Sequence, residues 1–193
     1  MVEQLNLVDH DDKFAKAAFR LLLNDATPMP MGTLAERIGV EQALVTRVFD
    51  HLRLVGRAET DGDRLLGVYG LTLKPTQHRL TLRGSTFFTW CAFDIVGIPA
   101  ALGESAEIAS ECAHCRAAVS FAMTDGEPPP LPLVVSWLSE RCDSIRDQFC
   151  PAVNFYCDRT HYQAGRSHDQ APDSALSLEQ VAEMGRHNWG WAR

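Results

Sequence analysis

The chain has 193 residues, of which 46% are hydrophobic and 22% charged, with a formal net charge of -7. This is a globular composition with room for one substantial core or two small domains, and it excludes a disordered chain. The acidic balance weighs against a nonspecific nucleic-acid binder, which needs a basic surface to meet phosphates.

Residues 1–12 lack a basic start followed by an apolar run, so no secretory signal is expected. From Lys13 to Leu23 the residues Phe14, Ala17, Ala18, Leu21 and Leu22 follow helical spacing, and Asn24-Asp25 with Pro28 and Pro30 should end that helix. A short helix over Thr33–Ile38 is stopped by Gly39. A longer one over Glu41–Leu54 carries Leu44, Val45, Val48 and Leu52 on one face. Arg57–Thr60 and Arg64–Tyr69 flank Asp61-Gly62-Asp63 and predict a hairpin, so residues 13–70 read as a winged helix. Its third helix carries Arg47 and Arg53 against Glu41 and Asp50, which favours a structural or substrate-covering role over DNA recognition.

Gly70–Lys74 and His78–Arg83 alternate as strands around a Pro75 turn, and a domain boundary is expected near residue 75. The apolar run 84–103 is about long enough to span a bilayer, yet Asp94, Pro99 and its glycines favour a buried helix over 87–98 that stops near Pro99. Glu107–Ser110 and Ala117–Met123 predict strands around Cys112-Ala-His-Cys115, and Leu133–Trp137 and Val153–Cys157 predict two more. Ser144–Phe149 predicts a helical turn before Cys150-Pro151. Residues 163–174 are polar and expected to be loop, and Leu176–Met184 predicts a final helix capped by Ser177 or Ser174.

The six cysteines are 91, 112, 115, 142, 150 and 157. With a cytoplasmic location and no membrane attachment expected, they should be reduced thiols available for metal binding or catalysis. Asp94 is the only charged residue in the run 84–103. A buried carboxylate is neutral, paired or functional, because an isolated buried charge costs several kcal/mol. On a helix, Cys91 and Asp94 would share a face and could exchange a proton. Ordinary packing of a small thiol explains the same spacing, so both readings stand on these residues alone. Pro151 fixes the chain direction beside Cys150, as in a turn that presents a side chain. Trp90, Phe87, Phe88 and Phe93 are expected to build an apolar wall. Cys112 and Cys115 are half of a zinc site, but Cys142 and Cys157 do not form a second C-x-x-C, and buried thiols are the favoured reading. His161, His168 and His187 have no metal-ligand spacing and are expected to face solvent.

The segment Phe88–Gly103, preceded by Gly67–Leu73 and followed by Arg146–Cys150, resembles the bacterial organomercurial (alkylmercury) lyases over residues 30–160. In that family the cysteine and aspartate of a Trp-Cys-Ala-x-Asp block converge on mercury with a later cysteine that follows a Phe. The resemblance thereby implies Cys91, Asp94 and Cys150 as the catalytic and mercury-binding residues. It implies an α+β fold, with a winged-helix-like unit over 1–75 packed on a mixed antiparallel-sheet and helix catalytic domain over 76–193, treble-clef related. The implied activity is protonolysis of carbon–mercury bonds, releasing a hydrocarbon and Hg(II). No resident cofactor is implied; Hg(II) is the bound product, and cellular thiols or a mercuric reductase would accept it. The chain departs from the family at Pro151, where a second cysteine can occur, in the extra thiol of the Cys112/Cys115 pair, and beyond Gln163. The competing reading is a soft-metal-responsive winged-helix regulator that uses the same cysteines as sensor, which leaves Asp94 without a task. A relative that merely sequesters metal would tolerate loss of Asp94.

Overall fold

Helical periodicity at the N-terminus extends beyond Lys13: α1 runs Val2–Asp25 and buries Phe14, Ala15, Ala18, Phe19 and Leu22. The computed structural model describes residues 2–138, 143–166 and 175–193. Two further helices, α2 (Met31–Ile38) and α3 (Gln42–Leu54), pack with α1 through Leu34, Val45, Val48 and Leu52. Between them Gly39 takes a left-handed φ of 79°, and its amide donates to the Ala35 and Glu36 carbonyls.

The predicted hairpin is present as β2 (Ala58–Asp61) and β3 (Arg64–Val68). Next come β4 (Leu71–Thr72), β5 (His78–Leu82), β6 (Ser85–Thr89), β7 (Ala106–Glu111) and β8 (Ala118–Met123). With β1 (Met29–Pro30) they form an antiparallel sheet in the order β1-β3-β4-β6-β5-β7-β8, with β2 on β3. Hydrogen bonds therefore run continuously through strands on either side of residue 75. The chain is a mixed α+β structure.

A second sheet pairs β9 (Val134–Ser136) with β10 (Phe155–Tyr156) and β11 (Ala175–Ser177). Its neighbours are α5 (Arg159–Gly165) and α6 (Leu178–Trp189), the latter capped by Ser177, whose hydroxyl accepts from the Gln180 amide at 3.2 Å. The alternative cap, Ser174, lies outside the described residues, as do Cys142 and His168.

The structure differs from three expectations. Residues 85–89 are a strand, not the start of a helix, because Thr86, Phe87, Phe88 and Thr89 are β-branched or aromatic and fit an inner strand between β4 and β5. The helix α4 therefore begins only at Ala92, and it continues through Pro99 to Leu102. Ala92 through Ala101 are all buried, so packing on every side holds a helix that the proline alone would interrupt, and Gly103 ends it instead. The partner of this packing is α6, where a Cβ on Gly185 would come within 2.2 Å of the Gly97 Cα. The strands expected on either side of Pro75 are present as β4 and β5, and each pairs with β6. Finally, Gln163–Gly165 belong to α5 and not to a loop.

Candidate active site

Cys91 follows Trp90 in the two-residue link between β6 and α4, with extended backbone (φ -153°, ψ 175°) at the N-cap position. Serine, threonine, aspartate and asparagine are the preferred caps, because their oxygens accept from the first-turn amides. A cysteine here is a weak cap, so helix stability does not explain the sulfur. Asp94 at the third helical position completes a capping box: its Oδ2 accepts from the Cys91 amide at 3.1 Å. The same oxygen accepts from the Cys91 thiol at 3.2 Å. Cap geometry, not one turn of a shared helix face, thus places the two groups together.

Cys150 arrives from a distant stretch. Ile145–Phe149 forms a π-helical turn, and Cys150–Ala152 follows as one 3-10 turn with Pro151 near its start. The Val153 carbonyl then accepts from the Ala92 amide at 3.1 Å, which stitches this segment to the first turn of α4. As a result the ligand atoms of Cys91, Asp94 and Cys150 all lie within 4.8 Å of one another, and all three residues are buried.

Gly70 also shapes the site, and sequence reasoning did not single it out. It has a left-handed φ of 87°, and a Cβ there would lie 2.4 Å from the Asp94 Cγ. Only a glycine lets the backbone pass this close to the carboxylate. The available signal was the Tyr69-Gly70 step between two short strands, where Tyr69 is also left-handed at φ 51°.

Burial pushes the Asp94 carboxyl up to about 7, against hydrogen bonds from the Cys91 thiol and amide that act in the opposite direction. The Cys91 thiol is itself raised, first by burial, then by its hydrogen bond with Cys150 and by the neighbouring Asp94 charge. The resting proton therefore stays on sulfur, with a carboxylate beside it that can be either charged or neutral near pH 7.

Asp94 faces a cavity of about 450 Å³ whose walls include Tyr69, Trp90, Phe93, Trp137, Phe149 and Trp189. Edge-to-face contacts lock the wall: Phe93 to Trp137 at 5.2 Å and Trp137 to Phe149 at 5.0 Å between ring centroids. Asp12 and Lys16 of α1 also line it, so the N-terminal helix contributes directly to the cavity. Cys150 borders a different recess, lined by Gln77, His78, Asn154 and again Trp90. Of the aromatics expected at the wall, Trp90 and Phe93 are there, whereas Phe87 is buried in the main core on β6.

The other cysteines among the described residues fall elsewhere. Cys112, Cys115, Cys157 and His161 gather in a separate group. His161 therefore does not lie in an open tail, as its spacing suggested, while His187 is exposed on α6.

The profile of the alkylmercury lyase family (MerB) matches residues 71–190. An alkylmercury lyase of Staphylococcus epidermidis is 32% identical over 174 residues, covering 86% of this chain and 77% of that protein. One from Pseudomonas putida is 26% identical over 162 residues, covering 81% and 75%. The crystal structure of the mercury-bound form of MerB2 superposes with a TM-score of 0.78 over 89% of this chain and 86% of that one, at 18% identity, a likeness of fold.

Proposed function

The chain belongs to the alkylmercury lyase family, and on that premise we propose that Cys91, Asp94 and Cys150 perform the cleavage of carbon–mercury bonds. The observation that carries the assignment is the 3.2 Å hydrogen bond from the Cys91 thiol to a buried Asp94, with Cys150 in the same cluster. Mercury is a soft cation that thiolates bind in preference to oxygen or nitrogen donors, so two sulfurs are the fitting ligands.

The substrate is an organomercurial R–Hg–X. Coordination of its mercury by the Cys91 sulfur expels the thiol proton, and the ionised Asp94 accepts it across the existing hydrogen bond. Attack by Cys150 brings a second sulfur to mercury and displaces X, which takes the Cys150 proton. Electron density donated by two thiolates makes the mercury-bound carbon more basic. Asp94 then returns its proton to that carbon, the Hg–C bond breaks, and R–H leaves with Hg(II) held by Cys91 and Cys150. Two thiol protons are thus consumed, one by carbon and one by X. Burial serves both halves of this cycle: it makes the neutral acid easy to reach after proton uptake, and it keeps the proton from solvent. The aromatic cavity beside Asp94 accommodates R.

Hg(II) held by two thiolates leaves by thiol exchange, so cellular thiols or the cysteines of a mercuric reductase are the acceptors in this reading. The reaction needs no resident redox or organic cofactor. Among the described residues no helix is long and apolar enough to cross a membrane. A metal-responsive regulator gains no support, since it leaves the Cys91–Asp94 hydrogen bond without a purpose.

The test is incubation of the purified chain with phenylmercury and excess thiol, measuring benzene by gas chromatography. Benzene release well above the thiol blank is expected from the wild type and not from Cys91→Ser or Cys150→Ser. Wild-type release equal to the blank would overturn the proposal.

A further inference from the structure

We propose that Cys112, Cys115, Cys157 and His161 form a second, structural site that binds Zn(II) and anchors the chain segment leading from Cys150. Their four ligand atoms lie within 4.8 Å of one another. The Cys115 and Cys157 sulfurs are 3.7 Å apart, and the Cys112 sulfur is 3.7 Å from Nδ1 of His161. In a tetrahedral zinc site, Zn–S bonds of about 2.3 Å and Zn–N bonds of about 2.0–2.1 Å put sulfurs about 3.8 Å apart and sulfur and nitrogen about 3.6 Å apart. Both pairs already stand at those separations.

The backbone is arranged to hold them there. In the Cys112-Ala-His-Cys115 turn the Arg116 amide donates to the Cys112 carbonyl at 2.9 Å, and Arg116 takes a left-handed φ of 63°. On the other side, Cys157 directly follows β10. His161 sits in the first turn of α5, whose N-cap Asp158 accepts the His161 amide at 2.8 Å. The two halves meet because the Ala113 amide donates to the Phe155 carbonyl at 2.8 Å.

Donor chemistry selects the metal. Three sulfurs and one imidazole suit zinc and not magnesium or calcium, and four protein ligands close the coordination sphere as in structural sites. There is also a reason for a metal at this place. Among the described residues the buried apolar cluster here comprises Cys112, Val134, Tyr156, Tyr162 and Ala175, with Cys157 packed against it, apart from the main core. So small a cluster supplies little burial energy, which a bound metal supplements. The site would fasten the β7–β8 connection to residues 155–161, just downstream of the turn that bears Cys150. Only this last link rests on the lyase reading; the zinc site itself does not.

The experiment is zinc stoichiometry by plasma mass spectrometry on the full chain, expressed with added zinc and purified with reductant and no chelator. About one zinc per chain is expected to survive dialysis, as four-ligand structural sites do. Cys91→Ser and Cys150→Ser should retain it, and Cys115→Ser with Cys157→Ser should lose it. Replacement by Co(II) should give the intense visible bands of a tetrahedral thiolate site in the wild type and not in the double variant. A wild-type chain that takes up no zinc after reconstitution overturns the proposal. So does zinc that persists in the double variant or disappears with Cys91→Ser, or a Cys115–Cys157 disulfide found under reducing conditions. If the double variant does not fold, wild-type stoichiometry and the cobalt spectrum decide. No mercurial is used, so failure here and failure of benzene release are separate results.

Discussion

Two cysteine clusters in this chain use the same element in different surroundings. Around Cys91 and Cys150 every group is buried, the third member is a carboxyl, and an aromatic cavity opens beside it. Around Cys112 and Cys157 the third and fourth members are Cys115, which is exposed, and His161. Four good ligands saturate a tetrahedral metal and leave nothing for a substrate to bind. Two thiols and an acid leave coordination positions open and place a proton within reach of what arrives there. The difference between holding a metal and transforming its ligand thus lies less in the thiols than in the group beside them and in its burial.

The largest expected effect separates the two clusters by activity. Cys91→Ser and Cys150→Ser should each reduce benzene release by about a thousandfold or more, to the thiol blank, since a hydroxyl cannot replace a thiolate on a soft metal. If Cys115→Ser abolished turnover equally while zinc remained bound, the contrast between the clusters would fail. Next comes Asp94→Asn, which should lower kcat by about a hundredfold to ten-thousandfold, the usual range for a positioned acid. This variant should still bind Hg(II), as read from thiolate-to-mercury absorption; loss of binding together with rate would make Asp94 a ligand and not a proton carrier.

A smaller loss is expected from Gly70→Ala, because the added methyl must displace the Asp94 carboxylate. A fall in kcat of about tenfold to a hundredfold, with Hg(II) binding retained, is the expected signature of a mispositioned acid. Unchanged kinetics would remove Gly70 from the site.

The smallest effects are in pH dependence. Asp94 must be ionised to take the Cys91 proton, so kcat/KM should rise with pH through about 7 in the wild type. The Asp94→Asn variant should lack that inflection. Stability should run the other way. The folded carboxyl binds its proton more tightly than an ordinary aspartate does, so its favourable contribution is full below the usual aspartate range and is lost as pH rises through about 7. Thermal unfolding should therefore show Asp94→Asn gaining on the wild type by several degrees from pH 5 to pH 8. A constant difference across that range would mean that Asp94 is not buried as described.

Several parts of this molecule are legible from short-range patterns. Period-two alternation marks β7 and β8, the Asp61-Gly62-Asp63 turn marks the β2–β3 hairpin, and the final helix α6 is legible with Ser177 as one of two candidate caps. The run 84–103 was harder, because an apolar stretch buried on all sides has no polar face from which to read its period. Strand β6 and helix α4 merge there, and no ordinary cap residue marks the border at Cys91.

By itself, then, the sequence determined the α+β character, the isolated carboxylate at Asp94 three residues after a thiol, and the family likeness that singled out Cys150. Tertiary structure alone decided that Asp94 meets Cys91 through a helix cap, that Gly70 makes room for it, and that His161 joins Cys112, 49 residues away, beside Cys115 and Cys157. The reason is physical: capping, periodicity and turns act over a few residues and leave local signatures. A ligand set assembled from separate stretches exists only once sheet pairing and helix packing have brought those stretches together.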